Sequence, residues 1–115
     1  MGAIAESILE SVKKLIASDD YFDTDLIIHI NTSFAKLQQM GVGPEGGFSI
    51  SDASATWADY TNDEPIFNMV KTYITLQAKL YFDTSTLSSY VIDLMKEQSA
   101  ELEWRLNAAC DYNSK

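Results

Sequence analysis

Four stretches of the chain place apolar residues at the three- and four-residue spacing of helices with one buried face. In the first, residues 4 to about 17, Ile4, Ile8, Val12 and Leu15 line one side, widened by Leu9 and Ile16. Glu6, Glu10, Lys13 and Lys14 face outward, with Glu10 and Lys14 in the favourable i,i+4 order. Ser18-Asp19-Asp20 breaks the pattern, and so short a link favours antiparallel packing of the helices it joins. The second stretch aligns Leu26, Ile27, Ile30, Phe34 and Leu37 against a polar side of Asp25, His29, Thr32, Lys36 and Gln39. Asp23 or Thr24 suits its N-cap, and Asp25 puts negative charge in the first turn. Gly41 after Met40 supplies the left-handed residue that ends a helix, and Pro44 blocks continuation.

The third helix opens at Asp63-Glu64-Pro65, with Asp63 or Glu64 near the cap and Pro65 near the first position. Its apolar arc is the widest in the chain: Ile66, Met69, Val70, Tyr73, Ile74, Leu76, Leu80 and Tyr81. A helix apolar around half its circumference belongs at the centre of a bundle. Asp83-Thr84-Ser85-Thr86 makes a polar link, and Thr86 or Ser88 can cap the last helix, which runs to about Cys110. That helix carries a narrow stripe of Val91, Met95, Leu102, Leu106 and Ala109, with Glu97, Glu101, Glu103 and Arg105 on wet faces. Trp104 projects with Asp93, Glu97 and Ala100, away from the stripe. It either anchors a protein contact or tucks against another part of its own chain.

Between the second and third helices lies a long glycine-rich loop holding Gly41, Gly43, Gly46 and Gly47. Phe48 and Ile50 alternate with Ser49 and Ser51, which permits a short extended piece. Ser51 or Asp52 can then cap a turn of helix through Trp57 and Tyr60. Loops of this length inside compact domains are often functional. Trp57 and Tyr60 either pin the loop to the core or present it to a partner. Phe48, Ile50, Trp57, Tyr60 and Trp104 are therefore the candidate interface residues. The expected fold is all-α: a bundle of four main helices with this loop between the second and third, spanning residues 1–115 as one domain.

With 115 residues, 46% apolar and 11% aromatic, the chain can bury a core without disulfide staples. Net charge is −9, from 17 acidic and 8 basic residues, so nonspecific DNA binding is not expected. Such a surface suits solubility, a basic partner, or a channel wall that must not hold passing DNA. Cys110 is the one cysteine and His29 the one histidine, which leaves no disulfide framework and no zinc ligand set. Cys110, on the apolar side of the last helix, is expected as a buried or half-buried thiol. Glu6 and Glu10 interrupt the apolar core a signal peptide needs, and no run approaches the ~20 apolar residues of a spanning helix. A soluble protein with no membrane partner is expected.

Two features imitate active sites. Gly41, Gly43 and Gly46 match G-x-G-x-x-G, yet they follow a helix where a phosphate site needs a strand before it and a helix N-terminus after it. Asp25, His29 and Ser33 fall at i, i+4, i+8 in triad order, but a surface stripe lacks an oxyanion hole and a sheltered pocket. No catalytic residue, cofactor or metal is expected.

The phrases FDTDLIIHIN, MGVGPEGGFSI, SATW, NMVKTYITLQAKLYFD and ELEWRL resemble the head–tail connector proteins (portal adaptors, or head-completion proteins) of long-tailed bacteriophages. The similarity runs from about Ile8 to Leu106 and is a pattern of helices and loop phrases, not a catalytic signature. It implies a helical subunit, made in the bacterial host cytoplasm, that joins its copies in a ring, twelvefold in the virion. Such rings dock beneath the portal protein, receive the next neck or tail-completion protein, and let packaged DNA pass without specific binding. The resemblance also implies that a subunit can stay monomeric until the portal templates it. The competing reading is a small acidic phage-encoded binding protein, a DNA mimic or an inhibitor of a host enzyme. Carboxylates spread over several helices argue against it, because a mimic needs them on one continuous face. An enzyme would need a pocket of perturbed titratable groups, and only Asp25 and His29 come near one.

Overall fold

A computed structural model of the chain describes residues 3–17, 22–82 and 87–113, with the backbone alone for Ala3 and residues 110–113. The described residues form a 3-10 turn, Ala3–Ala5, and five α-helices: α1 (Ile8–Ile16), α2 (Asp23–Gln39), α3 (Trp57–Tyr60), α4 (Glu64–Phe82) and α5 (Ser89–Asn113). They contain no strand, so the chain is all-α.

Local chemistry sets each boundary. The first helix does not run from residue 4. The Ser7 hydroxyl accepts from the Glu10 amide at 3.2 Å and starts the helix at Ile8. The backbone on either side of Ser7 is drawn across to the loop before α3: the Ile8 amide donates to the Ala55 carbonyl at 2.9 Å and the Trp57 amide to the Glu6 carbonyl at 3.2 Å. Neither Asp23 nor Thr24 caps α2; Phe22 is the cap residue, with no side-chain hydrogen bond, and Asp23 is already helical. At the other end the glycine stop forms as read. Gly41 has φ +83°, its amide donates to the Gln38 carbonyl at 3.0 Å, and the Val42 amide donates to the Leu37 carbonyl at 2.9 Å. This is the Schellman pattern, and buried Val42 and Leu37 supply its apolar partners.

The short helix α3 is started by Thr56, not by Ser51 or Asp52, and the Asp59 carboxylate accepts from the Thr56 amide at 2.9 Å. Asp52 closes a turn of its own by accepting from both the amide and the hydroxyl of Ser54. Those bonds hold its carboxyl below the usual carboxylate value. Asp63 caps α4 through the Ile66 amide at 3.1 Å, and Ser88 caps α5 through the Val91 amide at 3.2 Å. The alternative cap Thr86, the links at residues 18–21 and 83–86, and the side chain of Cys110 lie outside the described residues.

The helix with the widest apolar arc, α4, packs against α1, α2 and α5. Its Ile66, Phe67, Val70, Tyr73, Ile74 and Ala78 enter a core shared with Ile8 and Val12 of α1, Leu26, Ile30, Phe34 and Leu37 of α2, and Leu106 of α5. Two polar pairs fix how α5 lies on α4: Tyr73 Oη donates to Glu103 Oε2 at 2.7 Å, and Gln77 Nε2 donates to Ser99 Oγ at 2.5 Å. Positions 73 and 77 thus oppose 103 and 99, so α5 runs antiparallel to α4. Burial, the hydrogen bond and the nearby negative charge of Glu103 all push the Tyr73 hydroxyl well above its ordinary value.

Several outward and inward assignments change. Lys13 is buried, with its ammonium 3.1 Å from Asp23 Oδ1 and 3.8 Å from Glu10 Oε2, because a long apolar stem can pack inward when its charge is met by carboxylates. Leu15, Tyr81 and Val91, read as core, are exposed. Each lies close to a helix end, and Tyr81 stays exposed although its ring stacks on His29.

The glycine-rich loop is fixed at its middle by one side chain. Asn31 of α2 donates from Nδ2 to the Ile50 carbonyl at 2.9 Å and accepts the Ile50 amide on Oδ1 at 2.7 Å. Asn31 thereby satisfies both backbone groups of a residue whose side chain enters the core. Gly43, at φ +98°, passes so near Tyr60 that a Cβ would stand 2.7 Å from the ring.

Candidate interaction surfaces

The candidate residues of the loop are mostly core. Ile50, Trp57 and Tyr60 are buried. Trp57 donates from Nε1 to Ser11 Oγ at 3.2 Å and meets the Phe67 ring edge-on at 5.7 Å. Tyr60 and Phe48 pack on Phe34 with ring centroids 4.8 and 5.0 Å away, and only Phe48 of these four keeps part of its surface in solvent. Of the two fates open to Trp57 and Tyr60, the chain takes the first, and they offer a partner no side-chain surface.

Trp104 differs. It is 69% exposed, on the face of α5 opposite Met95, Ser99 and Leu106. At about 100° per residue, Tyr90 and Leu94 share that outer face with Trp104 inside an arc of roughly 80°. Tyr90 is 72% and Leu94 41% exposed. Asp93, Glu97 and Glu101 stand between them and are exposed as well. The one arginine nearby, Arg105, is held by Glu101 through Nε at 3.0 Å and Nη2 at 2.8 Å. Sequence reading isolated Trp104 and missed Tyr90 and Leu94; phasing α5 as a helical wheel would have grouped all three.

A second surface forms at one end of the molecule. The Phe22 ring lies 6.2 Å from Phe82, and the His29 ring lies 3.6 Å from Tyr81, so α2 begins beside the end of α4. The Lys13–Asp23 pair brings the end of α1 to the same place, and the antiparallel α5 starts there. Leu15, Phe22, Tyr81 and Val91 stand at the helix ends that meet here and Ile28 lies further along α2, and all five are exposed.

The two motifs that imitate active sites lie apart in the fold. Gly41, Gly43 and Gly46 follow the C-terminus of α2, the negative end of its dipole, where an anion is disfavoured. His29 stacks on Tyr81 at the edge of a groove between α2 and α4, Ser33 is buried, and no hydrogen bond joins Asp25, His29 and Ser33 among the described residues. Among those residues no group of three or more His, Cys, Asp or Glu could hold a metal. No described helix is long and apolar enough to cross a membrane.

No curated protein and no solved structure matches the chain. A family model described as phage connector protein matches residues 8–113, which takes in every α-helix. The chain belongs to the phage head–tail connector family.

Proposed function

We propose that the chain is a structural virion protein that assembles as a ring-shaped adaptor beneath the portal. In this reading it joins the DNA-filled head to the neck or tail and lets DNA pass through its centre. The observation that carries the proposal is the family match across residues 8–113. The surfaces support it. A closed ring of identical copies needs two different complementary patches on each subunit. The apolar pole around Phe22 and Tyr81 supplies one, and the loop carrying Phe48 is the candidate for the other. A net charge of −9 suits a bore along which DNA slides without being held.

The test is light scattering across a concentration series, alone and with purified portal protein, with negative-stain imaging of the same samples. Rings, free or capping the portal, are expected. A strict monomer that ignores the portal at high concentration would overturn the adaptor reading and favour a small acidic inhibitor.

A further inference from the structure

The outer face of α5 combines exposed aromatic anchors with the carboxylates of Asp93 and Glu97, for which no ion pair forms among the described residues. Tyr90 and Trp104 stand about 21 Å apart along the helix axis, taking roughly 1.5 Å of rise per residue. Leu94 lies between them, and Asp93 and Glu97 fill the gaps. Exposed tryptophan and tyrosine are the commonest anchors of protein contacts, while charge at a contact's rim selects the partner and speeds its arrival.

A second copy of this chain is a poor occupant. Its described basic residues are spread over four helices: Lys13 is buried against Glu10 and Asp23, Lys36 donates to Gln77, Lys71 lies over the Phe67 ring, Arg105 is bound to Glu101, and Lys14, Lys79 and Lys96 stand on α1, α4 and α5. These cations are outnumbered by 17 acidic residues to 8 basic over the whole chain, and each copy brings a further −9 of charge. We infer that the α5 outer face docks a basic, apolar-anchored segment of a different protein, and that contacts between copies form elsewhere. This rests on the adaptor reading and assigns the α5 face to a heterologous partner, apart from the pole that meets a second copy.

The experiment compares wild type with the charge reversal D93K/E97K and with Trp104→Ala. Each is titrated against purified portal protein and against purified neck protein of the same phage, at low and high salt, and each is tested for self-association. Helicity and melting temperature confirm that the variants fold. For at least one of the two partners, D93K/E97K is expected to weaken binding at least ten-fold at low salt and to flatten the salt dependence. Trp104→Ala should weaken the same complex at both salt concentrations, and self-association should be unchanged for both variants. The inference is overturned if both complexes keep wild-type affinity in the variants, or if self-association falls instead. Should wild type bind neither protein, the adaptor reading fails with it, which separates the two failures.

Discussion

The two tryptophans should respond to removal in opposite ways. Trp57 is 0% exposed, so Trp57→Ala empties a site in the middle of the core and deletes the indole bond to Ser11. Large-to-small changes of a buried Trp cost about 3–5 kcal/mol. The lost bond falls near the low end of its range, because the Ser11 hydroxyl still donates to the Ser7 carbonyl at 2.6 Å. A total of about 4 kcal/mol is therefore expected. Unfolding entropy of ~2.1 cal/mol/K per residue gives about 0.24 kcal/mol/K for 115 residues, so the melting temperature should drop by roughly 17 °C. Trp104→Ala removes a side chain that is 69% exposed and should stay within about 0.5 kcal/mol of wild type. Thermal and urea melts followed by circular dichroism read both. A Trp57→Ala variant that melts like wild type, or a Trp104→Ala loss above about 2 kcal/mol, would refute this division into core and surface.

Three further substitutions test the loop and the α4–α5 contact. Asn31→Ala should leave the Ile50 amide and carbonyl without partners, cost about 1–3 kcal/mol, and raise hydrogen exchange at Ile50 at least roughly ten-fold, with a smaller effect at the start of α2. Gly43→Ala should destabilise by more than about 1 kcal/mol, since it meets both a positive φ and the Tyr60 ring, while Gly46→Ala, in open space, should be neutral within about 0.5 kcal/mol in the same urea melts. Tyr73→Phe should cost about 1–2 kcal/mol at pH 7 by removing the bond to Glu103. Because the Tyr73 hydroxyl titrates higher in the folded chain than its ordinary value of 10.0, its contribution is whole below that pH and lost as pH rises beyond it. Urea melts at pH 7 and at about 10.5 should therefore show the gap between Tyr73→Phe and wild type narrowing in alkali.

The main helices were legible because their cores are periodic. Leu26, Ile30, Phe34 and Leu37 lie on the face their spacing assigned, and α4 sits at the centre as its wide arc required. The glycine stop of α2 was legible because a Schellman ending has a local signature in Gly41 and Val42. What escaped depends on long-range contacts. Ser7 starts α1, and the backbone beside it pairs with residues 55 and 57, which periodicity within residues 4–17 cannot register. Asn31 has no place in the apolar spacing of its helix, yet it clamps a residue nineteen places later. Lys13 was read as exposed on charge alone, and its burial follows from two carboxylates, one of them on another helix. Among the candidate contact residues, Trp104 was visible because it broke a stripe. The pole was not, because its members come from four helices whose ends meet only in the folded chain.

The central claim is that this protein joins heads to tails. Its most direct test is to inactivate the gene in the phage that encodes it and image the lysate by negative stain, with the gene supplied in trans as control. The account predicts heads and tails made in full but found apart, with tailed particles restored by the supplied gene. Normal tailed particles in its absence would contradict the account.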